Sequence, residues 1–403
     1  MEFGLKTMDD VNFKGKKVFV RVDFNVPLGL NAQIAGINRI TQTKPTIIAL
    51  LEGGARTITL ASHWDPLSDV KPLTKDPRLR MNQIADVVQT MLPGVEVEKV
   101  DYCIGSPPAK QLVVLENLRF EEGETANDAT FARQLIEPYD VIVYDAFGVA
   151  HRAHSSTTRI MKDRQAVVGK LMLDEVMNLN WMMVSPKRPL LAMMGGAKLS
   201  TKLTLIKHLL SFVDRLVIGG AMAFTFAKAK GINVGASLVE LNFVDEAARL
   251  LADYPQKIVL PVDTVDNTGR THLFDEGLPS MGAGCDIGAR TVSLFISEVA
   301  NSGTVFWNGP FGIYEDSRFR NGTVGVASFV STYGVKKIIG GGDLVAAISL
   351  DSDLIRKLKD TGGHASTGGA ASLQYIESVV TKTDLPAIAA LKENAKNATL
   401  WKL

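Results

Sequence analysis

Nine short apolar runs recur along this chain, each followed by a loop with Gly, Asp or Asn and then by a helical pattern. They cover 16–25, 57–62, 112–117 and 141–147 in the first half, and 190–196, 215–221, 257–263, 304–310 and 336–343 in the second. Runs of this length, rich in Val and Ile and without polar alternation, read as strands buried on both faces. Strand–helix alternation throughout leaves a parallel architecture. The alternation breaks near the middle, where a helical stretch at 170–184 runs into SPKRP at 185–189, with Pro186 and Pro189 bracketing two bases. The fold class is therefore α/β: two doubly wound, Rossmann-like parallel-sheet lobes joined by a helix and hinge. The boundaries read as a first lobe over 1–170, a helix and hinge over 171–189, a second lobe over 190–388 and a tail over 389–403.

Composition narrows the function classes. With 46% hydrophobic and 22% charged residues in 403, the chain is neither disordered nor fibrous. Forty-four basic against 43 acidic residues leave a net charge of +1, which argues against nucleic acid or a polybasic membrane surface as the main partner. Cys103 and Cys285 lie too far apart for a disulfide framework or a Cys-rich metal site, and point to a reducing compartment. No stretch approaches 18 apolar residues, and the N-terminus lacks a basic-then-apolar signal layout, so a cytoplasmic location is expected.

Helices are expected over 37–54, with Pro45 starting or kinking the segment and Gly53-Gly54 closing it, and over 200–213, 244–254 and 370–379. Ser200 is the expected N-cap of the second, which puts Lys202 in its first turn. Ligands of parallel sheets bind just beyond the carboxyl ends of the strands. In the first half those loops hold Asp23, Asn25, His63, Arg119, His151, Arg152 and His154, with Arg39 where the first helix begins. Any one of these cations could be a solvated surface group, but the set suits an anionic, phosphorylated small molecule. In the second half the loops are glycine-rich: 195–196, 219–220, 309, 340–342 and 368–369. One glycine pair would be only a tight turn. Five before helix starts, with Lys198 and Lys202 beside the first, favour a nucleotide.

Standard nucleotide fingerprints do not match. Gly15-Lys16 and Gly169-Lys170 lack the remainder of a Walker A loop, and GAGCDIG at 282–288 misses the dinucleotide spacing by one residue. His151 and His154 have no companion ligands for zinc, and there is no G-x-S-x-G.

Eight segments do match one family in order: RVDFNVP (21–27), LENLRF (115–120), DAFGVAHRAHSST (145–157), GGAKLSTKL (195–203), GGAMAFTF (219–226), WNGPFGIYE (307–315), GGGDLVAAI (340–348) and HASTGGAASL (364–373). The chain resembles phosphoglycerate kinases along nearly its whole length. The resemblance implies reversible phosphoryl transfer from 1,3-bisphosphoglycerate to ADP, giving 3-phosphoglycerate and ATP with Mg²⁺. It implies a glycerate-binding first lobe, a nucleotide-binding second lobe, closure of the two, and a tail returning to the first. A monomer is expected. The same resemblance assigns Asp23, Asn25, Arg39, His63, Arg119 and Arg152 to the phosphoglycerate. It assigns Lys198, Lys202, Gly288, Asn308, Glu315, Gly341, Gly342, Asp343 and Leu344 to the nucleotide, Gly288 at the adenine pocket and Asp343 to the metal. Arg39, Lys202, Gly341 and Gly369 fall at the transferring phosphoryl group.

Three departures stand out. Where the family reads S-H-x-G-R-P, this chain has Ser62-His63-Trp64-Asp65-Pro66, which removes a cation and adds an anion. Leu344 replaces a common Thr, and Ala370 a glycine. For the first, Asp65 is expected to point to solvent with Trp64 anchoring the loop; the alternative is that Lys71 or Lys75 folds back as replacement cation. The altered loop keeps open a related acid kinase acting on another phosphorylated carboxylate. A weakly active, nucleotide-binding relative is the third reading, opposed by Arg39, Lys198, Lys202, Glu315 and Asp343.

Overall fold

A computed structural model describes residues 3–29, 31–66 and 75–397 of the chain. These form two compact units. One runs to Met177 and resumes at Lys382; the other is Asn178–Thr381.

The first unit is built on six parallel strands: β1 (Lys17–Val22), β2 (Thr57–Ala61), β3 (Val97–Lys99), β4 (Leu112–Val114), β5 (Val141–Asp145) and β6 (Ala166–Val168). Their order is β3-β4-β2-β1-β5-β6, so the chain moves one way from β1 to β2 and the other way to β5. Val18, Val20 and Val22 of β1, Ile58 and Leu60 of β2 and Val141 and Val143 of β5 are all fully enclosed in one core. Burying each such side chain contributes roughly 1.5–3 kcal/mol before entropy is counted. The exception in β1 is Arg21, which is buried among them. The segment read as one helix over 37–54 is two, Asn38–Thr41 and Lys44–Glu52, because Pro45 occupies the first turn of the second.

The helix Lys170–Val184 spans the division between the units at Met177 and Asn178. Its first N–H groups are held within the first unit: Met172 N–H donates to Asp145 Oδ1 (2.9 Å) and Lys170 N–H to Thr46 Oγ1 (2.9 Å). The helix Pro386–Lys396 also belongs to the first unit. The division after Thr381 precedes the whole of this helix, whereas the sequence reading divides the chain inside it, at 388/389. Pro386 starts the helix, so Ala387, Ile388 and Leu391 bury together on one face.

The second unit repeats the plan with β7 (Leu190–Met194), β8 (Arg215–Ile218) and β9 (Ile258–Val259). A small antiparallel sheet follows, from β10 (Asp263–Asp266), β11 (Thr271–Leu273) and β12 (Gly284–Ile287). Then come β13 (Thr304–Asn308), β14 (Lys336–Gly340) and β15 (His364–Ala365). The parallel sheet runs β15-β14-β13-β7-β8-β9, with the direction reversing between β7 and β13. That is the dinucleotide-fold order, and the reversal opens a crevice beyond the carboxyl ends of those two strands. The antiparallel sheet went unread because its strands alternate too briefly to carry a period.

Asn394 ties the C-terminal helix down. Its side chain donates to Met161 O (2.6 Å) and Arg164 O (2.8 Å) and accepts from Ala166 N–H (2.9 Å), all in a buried setting. Asn394→Ala leaves that edge of β6 unsatisfied and should cost about 2–4 kcal/mol, read as a lower urea midpoint. A midpoint equal to wild type would mean water replaces the amide without loss.

Candidate active site

Each unit gathers polar groups at the carboxyl edge of its sheet, where strand order reverses. In the first unit, Asp23 and Asn25 follow β1, His63 follows β2, Arg119 follows β4, and His151, Arg152 and His154 follow β5. Arg39 Nη1 sits 3.0 Å from Asp23 Oδ2 and donates to Asn25 O (3.2 Å). Arg21 Nε donates to Ser156 Oγ (2.7 Å), whose hydroxyl donates to Glu124 Oε1 (2.6 Å). One hydroxyl thus relays a carboxylate to a buried guanidinium. Arg21 Nη2 lies 3.3 Å from His63 Nδ1, and Arg119 Nη1 lies 3.5 Å from His154 Nδ1. Arg152 makes no side-chain hydrogen bond or ion pair among the described residues. Its charge acts on both of these imidazoles and on His151.

The electrostatics are those of a site short of negative charge. Burial first, then Arg21, Arg119, Arg152 and Arg39, hold His63 well below the ordinary imidazole range. Burial, then Arg119 and Arg152, push His154 down to about 4. Both rings are neutral at pH 7, and among the described residues His63 Nε2 and His151 Nδ1 are buried without partners. Unpartnered buried ring nitrogens beside four arginines, of which Arg152 has no ion-pair partner among the described residues, suit an anion with several polar oxygens.

The loop at 62–66 differs from expectation. Trp64 is fully buried, its indole N–H donating to Val26 O (2.9 Å), so the anchoring role holds. Asp65 does not point to solvent. Its N–H donates to Asn25 Oδ1 (2.8 Å), and its Oδ2 lies 3.5 Å from Arg119 Nε. Buried cations draw the carboxylate inward once Trp64 has fixed the backbone beside them. Lys71 lies outside the described residues; Lys75 is exposed.

In the second unit the reversal point is occupied by Lys202. Its ammonium donates to Gly195 O (2.6 Å), Asn308 Oδ1 (2.7 Å) and Asn308 O (3.3 Å). Two loops meet there so closely that only glycine fits: a Cβ on Gly195 would fall 2.2 Å from Pro310 O, and one on Gly309 2.6 Å from Lys202 Nζ. Trp307 holds the second loop, its indole N–H donating to Gly309 O (2.9 Å) while its ring stacks on Phe311. Burial pulls Lys202 down to about 8, against the opposing pull of Asp343. Asn308 Nδ2 is buried with no partner among the described residues. Gly341, at φ +96, precedes the helix Gly342–Ser349, and Gly369, at φ +52, precedes Ala370–Thr381. Their free N–H groups and the lysine form a positive edge suited to phosphate.

A cavity of about 410 Å³ opens beside this edge. Phe224, Leu238, Phe274 and Ile313 give it apolar walls, and Glu315 and Asp343 stand on its wall as exposed carboxylates. Asp286 also lines it, accepting from Ile287 N–H (2.9 Å) and Gly322 N–H (2.7 Å), with burial pushing its pKa up to about 7.

Three further sequence expectations need correction. Gly288 does not line the cavity: it caps the helix Ala289–Ala300 and packs on Asp263, while its neighbours 284–287 form the wall. Leu344 is fully buried in the core, its apolar side chain turned from the cavity. Ser200 is not a helix cap; it bonds Glu240 Oε1, and the helix starts at Leu203 with Lys202 at the N-cap position. Lys198 is exposed and does not itself line the cavity, although Ala197 before it does. Sequence reading missed Arg21, although a lone charge inside an apolar strand beside Asp23 is a signal that it must be buried with partners.

His154 should titrate near pH 4 by imidazole proton NMR rather than near the ordinary ~6.5. The unfolded chain then takes up that proton first, so this contribution to stability is full above ~6.5 and is lost as pH falls toward 4. Arg152→Ala should raise the midpoint. A wild-type midpoint at 6.5 would mean the cations do not converge.

The family model described as phosphoglycerate kinase matches residues 8–378. A phosphoglycerate kinase of Rubrobacter xylanophilus is 42% identical over 403 residues, covering 96% of this chain and 98% of its own. One from Solibacter usitatus is 42% identical over 395 residues, covering 95% and 98%. The solved phosphoglycerate kinase of Coxiella burnetii superposes with a TM-score of 0.82 at 31% identity, over 98% of this chain and all of its own. With agreement of this extent in sequence and fold, the chain belongs to the phosphoglycerate kinase family.

Proposed function

We propose that this enzyme transfers a phosphoryl group reversibly between 1,3-bisphosphoglycerate and ADP, giving 3-phosphoglycerate and ATP in glycolysis and its reversal. The observation that carries the reading is Lys202, a half-buried ammonium whose hydrogen bonds among the described residues go to neutral oxygens, at the reversal point of a glycine-lined sheet edge. Such a charge is costly without an anion, and a phosphate chain supplies one. We assign the phosphoglycerate to the first unit, at Asp23, Asn25, Arg39, His63, Arg119 and Arg152. The nucleotide is assigned to the second unit, its base in the apolar cavity and its phosphates along Lys202, Asn308 and the N–H groups of Gly341, Gly342 and Gly369, with Glu315 and Lys198 at the rim.

Phosphoryl transfer needs positioning and charge neutralisation more than covalent chemistry. The acceptor carboxylate is already ionised at pH 7, so no general base is required, and none of the neutral imidazoles needs to act as one. Arg39 and Lys202 would offset charge on the equatorial oxygens. No group of three His, Cys, Asp or Glu side chains among the described residues could cage a metal. Asp343 on the cavity wall fits Mg²⁺ held by one carboxylate and substrate phosphates, and the ion would add neutralisation there. No described helix is long and apolar enough to cross a membrane. We place the reaction in the cytoplasm, in keeping with two free, buried cysteines. A related acid kinase remains the second reading, because Asp65 stands among the substrate cations.

A coupled assay for ATP formation from ADP and 1,3-bisphosphoglycerate tests the reaction directly. Lys202→Ala should lower kcat by roughly 100-fold or more while 3-phosphoglycerate still binds by calorimetry. Loss of that binding would place the ligands in the wrong units. Arg39→Ala should lower kcat far more than it weakens ATP binding.

ADP should also bind with proton uptake. Its phosphates favour the ammonium of Lys202, whose pKa of about 8 leaves it mostly neutral at pH 8.5 in the free enzyme. Calorimetry at pH 8.5 in two buffers should show uptake of about half a proton, with affinity falling as pH rises through 8. Absence of uptake, or uptake that persists in Lys202→Ala, would remove Lys202 from the phosphate site.

A further inference from the structure

We propose that Asp65 is a specificity-determining counter-anion, which holds Arg119 in the free site and weakens binding of the substrate's phosphoryl end. This rests on the assignment of the first unit's cation cluster to phosphoglycerate. Three observations on one side chain carry it. Its Oδ2 is 3.5 Å from Arg119 Nε, and the two side chains are 23% and 10% exposed. Among the described residues its Oδ1 is buried with no hydrogen-bond partner, and so is Arg119 Nε. The carboxylate therefore touches the cation without satisfying either group, the arrangement of a placeholder rather than of a structural ion pair.

The backbone keeps it there. Asp65 N–H donates to Asn25 Oδ1, Trp64 N–H donates to Asn117 Oδ1 (2.9 Å), and the same Asn117 oxygen accepts from Arg119 N–H (3.0 Å). One amide thus sets the loop of Asp65 against the loop of Arg119. Arg39 is likewise held by Asp23. Arg152 has neither a side-chain hydrogen bond nor an ion pair among the described residues. A phosphoryl group approaching Arg119 and Arg152 meets the fixed negative charge of Asp65. The ester is a dianion above its second pKa of about 6, so it is repelled more strongly than a singly charged group such as a carboxylate. The result is weaker binding and faster release at the phosphoryl end, with little effect on the nucleotide.

The test is calorimetric titration of the full chain, as wild type, Asp65→Asn and Asp65→Ala, with inorganic phosphate and with 3-phosphoglycerate at pH 8. Both variants keep the backbone N–H that bonds Asn25. An effect common to both reports removal of the charge rather than a new bond from the Asn amide. Both ligands should bind at least fivefold tighter to each variant, and the KM for 3-phosphoglycerate should fall while that for ATP stays within twofold. Equal or weaker binding of phosphate in both variants overturns the proposal, since a merely structural carboxylate would lose affinity when removed. Tightening for 3-phosphoglycerate but not for phosphate overturns the placement at the phosphoryl end. If phosphate tightens and 3-phosphoglycerate binds none of the proteins, Asp65 keeps its role and the assignment of the substrate falls.

Discussion

An unpaired polar group is costly along the strands of a parallel sheet covered on both faces, so its chemistry collects at the carboxyl edge. Both units follow this pattern. β1 and β5 are enclosed up to their last residues, and β7 and β13 likewise; the next residues are Asp23, Ala146, Gly195 and Gly309. Reversal of strand order at those same edges separates the loops that would otherwise cover them. The site follows from the topology before any single side chain is considered.

The two edges solve the problem of positive charge differently. In the first unit, three guanidinium groups have a nearby carboxylate, Glu124 through Ser156 for Arg21, Asp23 for Arg39 and Asp65 for Arg119, and Arg152 has none among the described residues. In the second, Lys202 has only carbonyl and amide oxygens. The lowered pKa of Lys202 and the neutral imidazoles of the first unit have a common cause, which is charge held in place where water is excluded. A fold that keeps such charge gives up stability for it, and the backing is visible in Trp64 and Trp307, each with its indole N–H bonded beneath the loop it supports.

Much of this was legible from residue order. All nine apolar runs are strands, because a both-sides-buried strand writes itself as unbroken Val, Ile and Leu. The glycine turns were equally legible, since Gly195 and Gly309 have no substitute where two backbones nearly touch. Three kinds of element escaped. β3, β6 and β15 are two or three residues long and lie in no longer apolar run. Gly288 and Leu344 match family positions by alignment, yet their atoms face Asp263 and the core. Asp65 was read as a solvated anion because charge and loop type are local, whereas the pull of Arg119 is not.

The sequence by itself determined the class of fold, the edges where polar groups must emerge and the residue types gathered there, since those follow from hydrophobic period and from the short reach of turns. Only the tertiary structure decided which of those residues face one another. Pairing Arg119 with Asp65, Arg21 with Ser156 and Lys202 with Asn308 joins segments 54 to 135 residues apart. Contacts across such separations are set by packing of whole elements, and no local pattern in the chain encodes them.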